Sequence, residues 1–498
     1  MAAEGLQTAA SAPVVTHQAV DKKHKEMGIF RMVTSVVTLI VGGGVWTFTG
    51  DMAASGANTG AVLIAWAIAA VGYFCLMMCF YGLSRLRPEL EGGIYSYASA
   101  GFGEFAGFNS AWGYWISAIL CTVSFSALLF GAFSYFFPVF GEGNNVPSII
   151  GASVIVWGYT LLVSRGIKDA TAVNAVVTLS KMVPLFVVIV SIVFLQRFDP
   201  EIFMQNFWGE EGGLPFGDQV MGAVTTTAWV FLGIEGACAM SGRAKKPSDV
   251  GKATVISFCS VLALYLVVSI LGMGILPREQ LAELSNPSLA GIMEAAVGPW
   301  GAVLINCGVI LSLLGAMLGY TVLTSEVPFE AARLGVFTKS FAVTNKKGAP
   351  VRTLVISALV VEAFFVLMVL SEGTYQFFYV LSLGLILIPY FLSSLFFLKL
   401  SVTSQDLFKG KLSGPVAKWV VCGIVGVAFS LFLVYATGIE YVVLMSLLFL
   451  PGVVVYAIGK RQRNQPCFQL LRDKLILAFI IVLAVVSALL LATGTVVL

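Results

Sequence analysis

Stretches of about 20 apolar residues recur from residue 28 to the end of the chain, and an α-helix needs this length to cross a bilayer. The chain has 498 residues, of which 58% are hydrophobic and only 11% charged. That leaves too little polar surface to cover several soluble domains, so we predict an all-α polytopic membrane protein. The thirteen predicted spans are residues 28–48, 58–83, 105–137, 147–163, 171–196, 217–241, 253–275, 300–325, 353–370, 375–398, 415–436, 441–459 and 475–497.

Basic residues predict how these spans are oriented, because cytoplasmic loops carry the excess of Lys and Arg. With the amino terminus inside, all 29 Lys and Arg except three fall on the cytoplasmic side. Arg197 and Arg278 fall outside, and Lys181 lies within a span. We therefore expect residues 1–27 to be a disordered cytoplasmic leader. The last span, 475–497, has no charge beyond it, and a peripheral or oligomer-contact helix is the alternative.

The distribution of polar residues argues against several functions. The two histidines, His17 and His24, lie in the leader, and the spans contain no metal-ligand cluster and no convergent pair of acids. We therefore expect no enzyme, no metal and no cofactor. The net charge of +3 is spread along the chain, which argues against a nucleic-acid partner.

Two glycine-containing segments predict breaks within spans. The first span carries Gly42, Gly43 and Gly44, and the sixth carries Gly233. Small residues can simply let helices approach closely, but a matched pair five spans apart favours two helices that open onto a cavity. We predict an inverted repeat of five plus five spans, with broken helices 1 and 6 and substrate at the breaks. Its segments are residues 28–196 and 217–398, followed by 415–459 and 475–497.

Broken helices predict the chemistry of the substrate. Freed amide groups and the positive end of a half-helix suit a carboxylate, and freed carbonyl groups suit an ammonium. An amino acid carries both charges. The aromatic residues nearest the breaks are the candidates for side-chain selection, since a dehydrated cation gains about 0.5–2 kcal/mol on a ring. These aromatic residues are Trp46, Tyr95, Trp229 and Tyr320.

The sequence from about 28 to 460 resembles the amino acid-polyamine-organocation superfamily, and within it the basic amino acid antiporters that include bacterial arginine/ornithine exchangers. The matching motifs are Glu91-Gly92-Gly93-Ile94-Tyr95-Ser96-Tyr97-Ala98, Ser110-Ala111-Trp112-Gly113-Tyr114-Trp115, Trp229-Val230-Phe231-Leu232-Gly233-Ile234-Glu235-Gly236, Arg243-Ala244 with Asp249 to Ala253, and Glu326-Val327-Pro328.

This resemblance implies a LeuT-type fold in the cell membrane, in bacteria the inner membrane, and obligatory exchange of amino acids. It also implies that Trp229 is a gating residue and that Glu235 is an acid linked to gating. The chain departs from the family at Gly43, where a serine is common, at Trp46, where a phenylalanine is common, and at Tyr320, where a tryptophan is often found. All three departures fall on the predicted pocket.

Charged residues within spans are further candidates. Lys181 lies about 15 Å from the start of its helix, too deep to reach the cytoplasm easily. In similar transporters a lysine here occupies the place of a sodium ion, so we expect its ammonium to replace sodium and to take part in proton coupling. Glu235 is the candidate for a protonation-sensitive gate, and Glu326 is the next acid. Glu362 has no predicted role beyond a hydrogen-bonded or protonated contact.

The sequence thus predicts a secondary transporter that exchanges a basic amino acid for a related product, most readily arginine for ornithine, by alternating access. An exchanger of a neutral or aromatic amino acid, or of its amine, is the nearer alternative, because Glu235 is the only acid near the presumed pocket. A channel or a non-transporting sensor on the same scaffold is more distant. The expected partners are these substrates and the lipid bilayer, and a homodimer is left open.

Overall fold

The computed structural model describes residues 28–90, 93–166, 170–235, 247–371 and 374–493, and all of its regular elements there are helices. The predicted leader, residues 1–27, lies outside the described residues. The helices are α1 Ile29–Ile40, α2 Phe48–Ala54, α3 Thr59–Leu86, α4 Ile94–Phe102, α5 Glu104–Ser134, α6 Val146–Ser164, α7 Ala170–Phe194, α8 Pro200–Met204, α9 Phe216–Val230, α10 Pro247–Met273, α11 Arg278–Ala282, α12 Ser288–Val297, α13 Pro299–Arg333, α14 Val351–Ser371, α15 Tyr375–Thr403, α16 Val416–Ala436, α17 Ile439–Arg461 and α18 Leu471–Ala492.

Ten of the described helices are long and apolar enough to cross a membrane, and each coincides with one of the predicted spans. The three remaining predictions are residues 28–48, 171–196 and 217–241. The second corresponds to α7, and the other two are the spans that we predicted to break. The prediction of an all-helical, multi-pass membrane protein is therefore confirmed.

The first predicted span is interrupted at its glycine cluster. Helix α1 ends at Ile40, a single 3-10 turn covers Gly44–Trp46, and α2 begins at Phe48. Three successive glycines lose more conformational entropy in a helix than other residues do, so a helical path is disfavoured here. The predicted break at Gly42 to Gly44 is observed.

The sixth predicted span is also interrupted. Helix α9 ends at Val230, and residues 231–235 form turns. Gly233 has φ = 97°, a left-handed value that glycine adopts without the steric cost that a side chain would add. The break therefore lies where the sequence predicted it. The rest of this predicted span, from residue 236, lies outside the described residues.

The centre of the molecule is built around α5, which packs along α13 and α15. In the most apolar 18-residue stretch of α5, 89% of the residues are buried in the protein. In the corresponding stretch of α18 only 17% are buried. Helix α18 corresponds to the thirteenth predicted span and packs mainly on α17. The two breaks lie against these buried central helices, since Gly43 faces Phe125 of α5 and Trp229 bonds to Tyr375 of α15. Helix α18 lies at the periphery.

Candidate functional site

The two helix breaks lie against each other. A Cβ atom on Gly44 would stand 2.5 Å from Val230 Cγ1 and 2.8 Å from Trp229 Cδ1, so no larger residue fits at this point of the first break. The hydroxyl of Tyr265 donates to the carbonyl oxygens of Ile40, at 3.1 Å, and Val230, at 3.3 Å. These are the last residues of α1 and α9. One tyrosine of α10 therefore joins the ends of both broken helices.

Side chains from other helices also reach the carbonyl groups at these two ends. Such groups lack an intrahelical partner and lie at the negative end of the helix dipole. The Lys181 ammonium, on α7, donates to the carbonyl oxygen of Thr38 at 3.2 Å, and the Tyr73 hydroxyl donates to that of Ala228 at 3.1 Å. Lys181 is 3% exposed, so its charge is held inside the protein at the end of α1.

An aromatic cluster covers the breaks. Trp229 stacks on Tyr379, with ring centroids 5.0 Å apart, and lies 5.9 Å from the ring of Phe125. Tyr320 meets Phe125 edge to face, with ring centroids 5.1 Å apart. A Cβ atom on Gly43 would stand 3.0 Å from the same phenylalanine ring. Phe125 therefore joins the first break to Trp229 and Tyr320.

A chain of hydrogen bonds fixes Trp229 next to the first break. Its indole N–H donates to the Tyr375 hydroxyl at 3.1 Å, and that hydroxyl is 2.9 Å from the Thr47 hydroxyl. Thr47 directly precedes α2, and Tyr375 is the first residue of α15. Trp229 thus bridges α9, α15 and the beginning of α2.

Glu235 lies at the end of the second break, within electrostatic range of Tyr320. Its carboxylate accepts hydrogen bonds from the Tyr114 hydroxyl at 3.1 Å and from the Tyr390 hydroxyl. Tyr114 belongs to α5 and Tyr390 to α15. Only 9% of Glu235 is exposed, so the carboxylate is buried and held by two phenols. It connects the second break to the two central helices.

The remaining predicted residues lie in different surroundings. A Cβ atom on Gly42 would stand 3.8 Å from the Phe125 ring. Trp46 is fully buried, and its indole N–H has no hydrogen-bond partner among the described residues. Tyr95 is buried on α4, within electrostatic range of Glu326 on α13 rather than in ring contact with the cluster.

Glu362 is far in sequence from both breaks and pairs with a different helix. Its carboxylate accepts a hydrogen bond from the Ser153 hydroxyl at 2.7 Å, which joins α14 to α6. The expected hydrogen-bonded contact is therefore observed. Among the described residues, no group of three or more His, Cys, Asp or Glu side chains is arranged to hold a metal ion.

Several residues of the site were not predicted from the sequence. Glycine clusters and intramembrane charges are rare enough to attract attention, but hydroxyl and aromatic residues are common throughout the spans. Only the contacts distinguish the important ones from the rest. The residues that the sequence analysis missed are Thr47, Tyr73, Phe125, Tyr265, Tyr375, Tyr379 and Tyr390.

The fold and the site together define a multi-pass membrane protein with two interrupted helices that meet in its interior. Residues 27–459 match the model of the amino acid permease family. The chain belongs to this family, which lies within the amino acid-polyamine-organocation superfamily, and the resemblance of its motifs is confirmed.

The sequence similarity to known relatives extends over almost the whole chain. An "Arginine/ornithine antiporter" of Pseudomonas aeruginosa is 42% identical over 91% of this chain and 94% of its own length. An "Arginine/agmatine antiporter" of Chlamydia pneumoniae is 35% identical over 95% of this chain and 98% of its own. An "Arginine/ornithine antiporter" of Latilactobacillus sakei is 36% identical over 96% of this chain and 99% of its own.

Proposed function

We propose that this protein exchanges a basic amino acid, arginine, for ornithine across the cell membrane. The observation that carries the proposal is the 42% identity to an arginine/ornithine antiporter over 91% of the chain. The geometry supports it, because two helix breaks that meet in the membrane interior present backbone groups of both polarities. The proposal includes no covalent chemistry, since the protein changes the side from which the substrate is reached.

The substrate lies between the two breaks in this proposal. Its α-carboxylate faces amide groups near Gly42 to Gly44, at the start of the half-helix that continues as α2. Its cationic side chain lies against the rings of Trp229, Phe125 and Tyr320, where cation–π attraction replaces the lost hydration. Gly233 gives the second break its turn. This assignment is supported by the contacts that bring Gly43, Trp229 and Tyr320 together around Phe125. Gly44 lies directly against Trp229.

Alternating access requires a barrier on each side of the substrate. We assign the outer barrier to Trp229 with Tyr375 and the inner barrier to Glu235 with its two tyrosines. The assignment follows the distribution of basic residues, which places the amino terminus in the cytoplasm and α2 towards the outside. In a bacterium with two membranes, we assign the protein to the inner membrane. A homodimer remains a prediction from the sequence.

Lys181 takes the place of a bound cation in this proposal. Its buried ammonium at the end of α1 compensates the negative end of that half-helix, which otherwise has to be neutralised by an ion. Exchange should therefore need no sodium. We also assign a role in gating to Glu326, supported by its position on α13 within electrostatic range of the buried Tyr95.

Counterflow in proteoliposomes tests the function directly. Vesicles loaded with ornithine should accumulate labelled arginine, and empty vesicles should not. Competition by unlabelled arginine, lysine, agmatine, tyrosine and histidine separates a basic from a neutral or aromatic substrate. Equal uptake into loaded and empty vesicles contradicts exchange and indicates a channel or a uniporter. A complete lack of uptake with every amino acid indicates a sensor.

A further inference from the structure

The carboxyl group of Asp51 is a buried charge that the exchange cycle described above does not use. Asp51 lies in α2, one helical turn after Thr47, and is 4% exposed. Its Oδ1 accepts hydrogen bonds from Gln376 Nε2 at 2.7 Å and from Asn286 Nδ2 at 3.3 Å. These bonds join α2 to the start of α15 and to the connection between α11 and α12.

This group of polar side chains has more acceptors than donors. Asp51 Oδ2 and Asn286 Oδ1 are both buried, and neither has a hydrogen-bond partner among the described residues. Buried acceptors rarely stay unpaired, because they have given up their hydrogen bonds to water. The Thr47 hydroxyl also hydrogen-bonds to the Asp51 carboxyl group, and its oxygen lies 2.9 Å from the Tyr375 hydroxyl. Even with this donor, the Asn286 Oδ1 acceptor stays buried without a partner among the described residues.

Donor-rich cations fit such a site. A guanidinium group carries five N–H donors and an ammonium group three, and neither has an acceptor. Hydrogen bonds between such groups and a carboxylate are about twice as strong as neutral ones. The hydroxyls of Tyr375 and Tyr379 lie within electrostatic range of Asp51, and phenols are neutral at physiological pH. No described cation is in salt-bridge contact with Asp51.

The position of Asp51 places it before the Trp229 barrier for a substrate that arrives from outside. Gln376, its partner, is the second residue of α15, whereas Tyr390, the partner of Glu235, lies 14 residues further along the same helix, about 20 Å away. The two carboxylates thus lie at opposite ends of the route, with Trp229 and Tyr375 bonded between them. Asp51 is at the α2 end.

We propose that Asp51, together with the side-chain oxygen of Asn286, forms an outer recognition site for the guanidinium or ammonium group of the substrate. The substrate occupies this site before it passes Trp229. The inference depends on the proposed exchange of basic amino acids and adds a residue that selects for positive charge. It also accounts for how a pocket lined by rings and backbone groups can favour cations over neutral amino acids of the same length.

The test compares arginine with citrulline, which has the same length but a neutral ureido group. In proteoliposomes, external arginine and external citrulline each inhibit the uptake of labelled ornithine, and the ratio of their half-inhibitory concentrations measures charge selectivity. Asp51→Asn keeps an acceptor for Gln376 and removes the charge. We expect the preference for arginine to fall by about tenfold, the effect of losing one hydrogen bond to a charged group. Asp51→Glu should restore most of it.

Gln376→Leu is the matched control, because it removes one hydrogen bond to Asp51 and leaves the carboxylate in place. It should change the inhibition by arginine and by citrulline by the same factor. If Asp51→Asn also affects both compounds equally, Asp51 only ties α2 to its neighbours and the proposal is wrong.

A second outcome would also overturn the proposal. If replacing external sodium by choline weakens arginine inhibition in the wild type but not in Asp51→Asn, the site binds an inorganic cation. Failure of the proposed function looks different, because wild-type vesicles would then show no arginine–ornithine counterflow at all.

Discussion

The Lys181 ammonium donates a hydrogen bond to the carbonyl oxygen of Thr38 across 3.2 Å, and this bond places a buried positive charge at the end of the first half-helix. A broken helix leaves the negative end of its dipole inside the membrane, where no water can compensate it. The Lys181 side chain supplies that compensation from the protein itself. The relationship explains why one lysine lies within a span while the other basic residues lie near the membrane surfaces.

Removal of this charge should slow exchange. We expect Lys181→Ala to lower the initial rate of arginine–ornithine counterflow by about tenfold or more, because a buried acceptor and a helix end lose their partner. The wild-type rate should not change when sodium is replaced by choline. Lys399→Ala is the control, since Lys399 also donates to a carbonyl group, that of Gly101 at 3.3 Å, but is exposed. Equal effects of the two substitutions would contradict the role of Lys181.

The close contact between the breaks should not tolerate a methyl group. Gly44→Ala places a Cβ atom 2.5 Å from Val230 and 2.8 Å from Trp229, so we expect counterflow to fall below about one hundredth of the wild-type rate. Gly158→Ala is the matched control, because nothing lies within 4 Å of its Cβ position on α6. Purified yield and the thermal midpoint show whether each variant folds. A Gly44→Ala variant with normal exchange would mean that the breaks do not meet as described.

The ring of Trp229 should contribute more to arginine transport than its hydrogen bond does. Trp229→Leu removes the stack on Tyr379 and the contact with Phe125, and we expect kcat/KM for arginine to fall by about a hundredfold, roughly 2.7 kcal/mol. Tyr375→Phe removes the acceptor of the indole N–H and the bond to the Thr47 hydroxyl but keeps the rings, and it should lower kcat/KM by about threefold to tenfold. Trp157→Leu, at a surface position on α6, should have no effect. If Tyr375→Phe lowers kcat/KM as much as Trp229→Leu does, transport depends on the hydrogen bond rather than on the ring.

The carboxylate of Glu235 should affect the rate of the cycle more than substrate binding. Its hydrogen bonds go to tyrosines of α5 and α15, and it has no hydrogen bond to Trp229 among the described residues. We expect Glu235→Gln to lower the counterflow rate by about tenfold and to change the Kd for arginine by less than about threefold. Glu362→Gln, which alters a carboxylate bonded to Ser153, is the control and should leave both quantities unchanged. A large loss of arginine affinity in Glu235→Gln would instead indicate direct substrate contact.

The helix breaks could be predicted because their cause is local. Gly233 adopts φ = 97°, which excludes most other residues, and three successive glycines disfavour a helix wherever they occur. The spans could be predicted for a similar reason, since length and hydropathy suffice to cross a bilayer. Lys181 attracted attention because an unpaired charge is costly in lipid. Each of these signals is contained in a short segment of the chain.

The partners across the site could not be predicted, because they depend on packing between distant segments. Phe125 is one of 37 phenylalanines, and nothing in its neighbourhood distinguishes it from the others. Asp51 is visible as a charge near the first break, but its partners lie 235 and 325 residues further along the chain. Trp46 is the opposite case. Its position beside the glycines predicted that it would line the substrate pocket, but among the described residues its ring contacts neither Trp229 nor Phe125.

A structure of the protein with bound arginine, determined by electron cryo-microscopy in a lipid nanodisc, tests the central claim most directly. The account predicts density for one arginine between residues 42–44 and 231–235, with its carboxylate at the backbone of the first break and its guanidinium against the aromatic cluster. Both helices should remain interrupted. Continuous helices through both segments, or arginine bound only at a place remote from them, would contradict it.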